Sequence, residues 1–448
     1  MEGHLTDHNN DEALLRRAQS LAAAARRDDL RAHAAQMTAI TDDLFLLVRL
    51  AIVLREAGLI EEADRTCLQI LQRDPRYAFA HYELGVSLTA QGRHGEALAS
   101  FARILTVLPE DQRAHIQVAR LQMSIGRHQE AEATLERLRG FAPTHEDFPW
   151  LSDLNRYLAR FPRDEMQAQA AAYEQSARYL QSDGIIERAV QALESGRGFS
   201  LVRLGDGEGA FLRISEEDEA RFPHLYRRNR QDRARVWFDG EIDLDASGFT
   251  RTAAGLSDVI RNADVVGLPY ESWIAHEYRL ISPTSLSCLA NVLRLMPALD
   301  TGQNFCTQLI HRSLHQNGQL AALLRGRARL GLIACHPGAP DLLARSFGIG
   351  EVVFHQIPGE KLNAALLGPA AAAGRHYPDR FTALMQELSR PLAGQLFLVA
   401  GGLLGKVYCD RIKRSGGVAL DIGSLIDAWL GAPTRPGFFT PQDKLGPA

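Results

Sequence analysis

A chain of 448 residues is longer than one hydrophobic core organises, so at least two domains are expected. Its 46% hydrophobic and 23% charged residues match ordinary globular usage and exclude bulk disorder. The formal net charge of -4 supplies no basic field, which argues against nucleic acid or anionic lipid as a partner.

In chain order, "MEGHLTDHNNDEALLRR" is polar and acidic and lacks the basic and apolar regions of a secretory signal. No window approaches the roughly 18 apolar residues of a membrane span. The expectation is a cytoplasmic chain with no membrane span. Cys67, Cys288, Cys306, Cys335 and Cys409 form no CxxC pair, so they read as reduced, buried thiols rather than a disulfide framework or a zinc knuckle.

The first third repeats itself. Gly58, Gly92 and Gly126 recur at a spacing of 34, as do Ala63, Ala97 and Ala131, and Pro75, Pro109 and Pro143. This is the tetratricopeptide period, in which the glycine opens the turn between two helices, the alanine sits where they cross, and the proline ends the second. Leu84-Gly85 marks the crossing on the first helix of its pair. "AARRDDLRAHAAQMTAITDD" keeps the helical period without the Gly and Pro, as a capping repeat does. The array is placed at residues 10 to 160. It offers either a surface for a protein partner or acceptor, or a packing and self-association module.

Beyond it the pattern alternates. Apolar runs at "FSLVRLG", "DVVGLPY", "RLGLIAC", "EVVFHQI", "QLFLVAGG" and "VALDIG" are separated by helical stretches, which predicts a parallel sheet covered by helices on both faces. The expected architecture is a helical array followed by a Rossmann-like α/β domain over 165 to 436. Ligands of such sheets sit at the carboxyl ends of the strands.

Several stretches fall at that edge. In "RLGDGEG", Asp206 and Glu208 stand two apart among glycines; pointing one way they would share Mg²⁺ or Mn²⁺, and otherwise they cap the following helix. "VAGGLLGKVYCD" has three residues between Gly401 and Gly405 where a Walker A motif needs four, and Val407 where it needs Ser or Thr. Its amides and Lys406 are left with either a diphosphate or tight strand-helix packing. His336 in "CHPGAP" follows a strand and is a ligand candidate or a turn residue. His311 and His315 have zinc-pair spacing, but Arg312 replaces a catalytic Glu, so an ordinary helix face is preferred. "YRRNRQDRARVW" carries Arg227, Arg228, Arg230, Arg233 and Arg235 between Tyr226 and Trp237, a solvated face or a lid over an anionic substrate. Asp421 ends the last strand, and Asp427 follows at the same edge.

"SLVRLGDGEGAF" together with "LVAGGLLGKVYCDRIKRSGGVALDIGSLIDAWLG" resembles the bacterial GT-D-type glycosyltransferases over roughly residues 165 to 435. The resemblance implies a UDP-sugar donor, a hexose transferred to a glycan or glycoprotein acceptor, and a role in surface-polysaccharide or protein glycosylation. It implies that Asp206 and Glu208 are the catalytic pair holding Mn²⁺ (or Mg²⁺) and the diphosphate. It places Arg203, Gly205, Gly207, Gly405, Lys406 and Asp421 in the nucleotide-sugar site, with His336 added from its strand-end position. A catalytically inactive domain behind a protein-binding array, and a phosphotransferase with Asp206 as nucleophile, are the rival readings.

Overall fold

The computed structural model describes residues 2–238, 242–244, 247–280, 285–432, 434–435 and 439–445; the expected domain end at 436 lies outside them. The chain forms two compact units, Met1–Arg160 with Tyr278–Ile281, and Phe161–Glu277 with Ser282–Ala448.

The first unit is built of helix pairs: Leu44–Glu56 with Ile60–Arg73, Ala78–Ala90 with His94–Val107, and Gln112–Ser124 with His128–Phe141. Gly58, Gly92 and Gly126 turn each pair with φ of 77°, 76° and 77°, a left-handed conformation that costs glycine least. Ala63, Ala97 and Ala131 are buried at the crossings. A Cβ on Gly85 would lie 2.7 Å from the Phe101 ring of the paired helix, so this crossing admits hydrogen alone. Helices Glu2–Ala23 and Arg27–Ile40 precede the repeats, and Phe148–Arg160 follows them.

The second unit carries a seven-stranded sheet in the order β3-β2-β1-β7-β6-β4-β5. The strands are β1 Phe199–Arg203, β2 Val265–Leu268, β3 Asn304–Thr307, β4 Arg329–Ala334, β5 Glu351–Gln356, β6 Leu396–Val399 and β7 Val418–Asp421. All pairings are parallel. Alternate residues supply the two helix-covered faces. Val202, Val266, Ile333, Phe397 and Ala419 pack on one side with Leu404 and Tyr408; Leu201, Val265, Leu332, Leu398 and Leu420 pack on the other with Ile185, Leu343 and Leu425. The chain leaves β1 for β2 on one flank, while β7 arrives on the other. The carboxyl ends of β1 and β7 therefore border the point where the winding reverses, the usual ligand position in open α/β sheets.

Candidate active site

Four charged side chains lock the ends of β1 and β7 to their neighbours. Arg203, at the end of β1, donates from its backbone N–H to Asp421 Oδ2 (3.2 Å), from Nε to the Asp421 carbonyl (3.0 Å) and from Nη2 to Asp421 Oδ1 (3.3 Å). Its Nη1 donates to the Gln308 carbonyl (2.9 Å) and to His311 Nδ1 (2.8 Å). Lys406, in the helix Gly402–Arg414, places Nζ 2.7 Å from Glu208 Oε1 and 3.1 Å from Asp421 Oδ2, and donates to the Gly402 carbonyl at 3.0 Å. All four are buried. Two cations face two carboxylates, so the layer is neutral and each desolvated charge has a partner, the condition under which buried ions persist. Gly423, at φ +52°, belongs to this lock, because a Cβ there would stand 2.0 Å from Arg203 Nη2.

The electrostatics follow the packing. Burial favours the neutral form of Asp421, yet Arg203 and Lys406 outweigh it and hold its carboxyl at about 2. Burial likewise works against the Lys406 ammonium, but Asp421 and Glu208 keep its pKa above the ordinary value. Burial, then the adjacent Arg203, push the His311 imidazole well below its ordinary value; neutral, it accepts from Arg203 through Nδ1.

The D-x-E carboxylates part company. "DGEGAF" forms the helix Asp206–Phe211, and positions two apart on a helix do not face each other. Glu208 turns inward, where Oε2 caps the helix by accepting from the Gly205 N–H at 2.8 Å and Oε1 meets Lys406. Asp206 turns outward, its Oδ2 accepting from Arg233 Nη1 (2.8 Å) and Ser285 Oγ (3.2 Å). As a pair these residues do not fit a divalent cation held between them: they point apart, and each already faces a cationic side chain, Asp206 to Arg233 and Glu208 to Lys406. Of the two alternatives the spacing left open, helix capping is the one Glu208 adopts, and the shared ion that the resemblance implies finds no converging pair.

Other expected contacts are relocated too. The three N–H donors of Lys406 are all engaged, which leaves none for a phosphate. Gly405 sits in the helix against β6, where a Cβ would meet Val399 at 3.4 Å, an ordinary packing contact. A Cβ on Gly207 would fall 1.9 Å from Trp237; this glycine receives an indole, not a nucleotide. His336 bends the turn after β4 by accepting from the Gly338 N–H at 3.0 Å and does not line the cavity. Gly205 does line it.

That cavity, about 390 Å³, opens at the carboxyl edge of the sheet. On one wall are Gly401, Gly402, Leu403 and Leu404, the start of a 13-residue helix that no side chain among the described residues caps. Uncapped first-turn amides and the helix dipole favour an anion. Arg435 also lines the cavity, held to Glu360 at 2.6 and 3.1 Å with 40% of its side chain exposed. Trp237 and Trp273 supply flat apolar surface, and Trp273 donates through Nε1 to Glu277 at 3.0 Å. His376, pulled down to about 4 by burial and then Arg380, is a neutral wall group bonded to the Tyr408 hydroxyl at 2.9 Å.

The arginine-rich stretch is the helix Pro223–Phe238. Arg230 grips Glu219 at 2.6 and 2.7 Å, Arg228 bonds Asp232 at 3.1 Å, and Arg233 reaches Asp206, while Tyr226 is buried. The sequence reading missed Glu360, Trp273 and Arg435, which carry no motif, and it left His311 on an ordinary helix face because Arg312 stands where a zincin has its Glu, whereas the structure gives His311 the Arg203 guanidinium as its partner.

Two family models agree with this architecture. Residues 88–148 match the tetratricopeptide-repeat family model, and residues 180–359 match the GT-D fold-like domain. No curated protein matches. Among solved structures, MamA from AMB-1 is 14% identical, covering 35% of this chain and 87% of its own at TM-score 0.28. A thermophilic TPR protein of Thermus thermophilus is 23% identical, covering 37% and 91% at TM-score 0.27. A mutant of the Thermobaculum terrenum O-GlcNAc transferase is 14% identical, covering 86% of this chain and 76% of its own at TM-score 0.26. The GT-D fold-like match, placed after tetratricopeptide repeats, supports a glycosyltransferase.

Proposed function

From a chain that carries tetratricopeptide repeats followed by a GT-D-like domain, we propose a glycosyltransferase that moves a hexose from a UDP-sugar to a glycan or glycoprotein acceptor, in the making of a bacterial surface polysaccharide or glycosylated protein. The observation that carries the reading is the uncapped start of the helix Gly402–Arg414 opening into a cavity bordered by the ends of β1 and β7. Transfer leaves negative charge on the departing diphosphate, and amides fixed at a helix N-terminus stabilise that charge without reorganising. Arg435 adds a cation on the same cavity. The neutral layer of Arg203, Glu208, Lys406 and Asp421 holds this edge rigid beneath the donor. Trp237 and Trp273 offer faces on which a base or sugar ring stacks. No step runs through a metal, because the carboxylate pair does not fit one. The array supplies a surface for an acceptor protein or for self-association.

The test is UDP binding by calorimetry, followed by UDP release from UDP-glucose, UDP-galactose, UDP-N-acetylglucosamine and UDP-N-acetylgalactosamine, each with Mn²⁺ and with chelator. Micromolar to millimolar UDP binding and turnover of at least one donor are expected. No binding of UDP in either condition overturns the reading.

A further inference from the structure

Five carboxylates line the cavity: Asp206, Glu208, Glu277, Glu360 and Asp427. Four are committed to strong donors, Asp206 to Arg233, Glu208 to Lys406, Glu360 to Arg435 and Glu277 to the Trp273 indole. Asp427 differs. It stands in the short helix Leu425–Trp429 that follows β7, and among the described residues it forms no ion pair. Its Oδ2 accepts from Thr434 Oγ1 at 2.8 Å, and among the described residues its Oδ1 meets the Cys335 thiol alone, at 3.9 Å. A carboxylate tethered through one oxygen, with the other facing a poor donor on a cavity wall, has the form of a proton acceptor.

We propose that Asp427 is the general base that takes the proton from the acceptor hydroxyl during sugar transfer; this rests on the glycosyltransferase reading above. The acceptor oxygen forms a bond to the anomeric carbon as the bond from that carbon to the diphosphate oxygen breaks. The bonding pair leaves with UDP, and the hydroxyl proton passes to the Asp427 carboxylate. A single displacement of this kind inverts the anomeric centre.

The surroundings suit the task. Burial pushes Asp427 up to about 6. Glu360, from the loop after β5, adds to the rise; Thr434 and Arg435 from the C-terminal segment and Cys335 from the end of β4 oppose it. A base with a pKa just below neutral is mostly ionised at pH 7 yet basic enough to hold the proton it receives. The rate should therefore rise with pH through about 6 as the carboxylate forms.

The test uses the full-length chain, UDP, and whichever UDP-sugar of the panel is turned over, with water as acceptor. Asp427→Asn and Asp427→Ala should bind UDP within about threefold of wild type while UDP release falls by about 100-fold or more, the scale of a lost general base. The rise near pH 6 should vanish from their profiles and persist in Glu277→Gln. Sodium azide, a nucleophile that needs no deprotonation, should restore UDP release to Asp427→Ala and yield a glycosyl azide of inverted configuration. Less than a fivefold loss of rate, a limb that follows Glu277, or a product of retained configuration overturns the assignment of Asp427 and leaves the donor reading standing. Wild-type protein that binds no UDP overturns both.

Discussion

The inner and outer layers of the site use the same residue types to opposite ends. In the inner layer, Arg203, Glu208, Lys406 and Asp421 are 6%, 5%, 4% and 2% exposed and satisfy one another. In the outer layer, Asp206, Asp427, Glu360 and Arg435 are partly exposed on the wall of the cavity that Arg203, Glu208 and Lys406 also border. Two carboxylates separated by a single glycine, Glu208 and Asp206, fall on different sides of this divide. A motif of charged residues thus does two jobs, and only one of them is recognition.

The comparison breaks most sharply at Lys406. Lys406→Met leaves Glu208 and Asp421 buried without their shared cation, and unfolding in denaturant should show a loss of about 3–5 kcal/mol. A loss within error would mean that the inner layer is not structural.

Next in size, the two layers should answer pH with opposite signs. The folded-state pKa of Asp421 is depressed to about 2, so its contribution is present above the ordinary aspartate range and disappears as pH falls through that range towards 2. The folded-state pKa of Asp427 is raised to about 6, so its contribution is present below the ordinary range and disappears as pH rises through 6. Relative to Asp427→Asn, the wild-type chain should lose on the order of 1–3 kcal/mol between pH 4 and pH 7. Parallel stability curves would show that burial does not perturb this carboxyl.

The smallest effect is expected at the partly exposed pair. Asp206→Asn removes one side of a contact to Arg233, with side chains 31% and 17% exposed, and should shift stability by under about 1 kcal/mol. A thermal melt of Asp206→Asn beside Glu208→Gln sharpens the point: the second should fall clearly further, and equal losses would erase the distinction between layers.

The array was legible in the sequence because its period is local: one glycine, one alanine and one proline per 34 residues each answer to a turn, a crossing and a helix end within the same repeat. Six strands were legible as apolar runs. β3 was not, since "NFCT" is short and has a polar residue at each end. The edge of the sheet holding the site was readable from the alternation of strands and helices, as was the nearness of the glycine turn to Lys406 and Asp421. The pairing was not. Whether Lys406 serves a phosphate or a carboxylate depends on Glu208, which lies far away in the chain. Whether Asp206 and Glu208 converge depends on where the helix begins, and their spacing is silent on that. Arg435 and Trp273 reach the cavity only through tertiary folding, with no local pattern to announce them.

The glycines of "DGEGAF" carry a consequence for how such motifs are used to find relatives. Gly207 lies beneath Trp237, and a Cβ on Gly209 would come within 2.0 Å of the Cys288 carbonyl oxygen, so each records the pressure of a neighbouring element rather than the approach of a substrate. A descendant chain that abandoned sugar transfer would still need both glycines to assemble, while Asp206 and Asp427 would be free to drift. Searches weighted on the glycine pattern therefore gather folds, and the two wall aspartates are the positions at which working and silent copies should diverge.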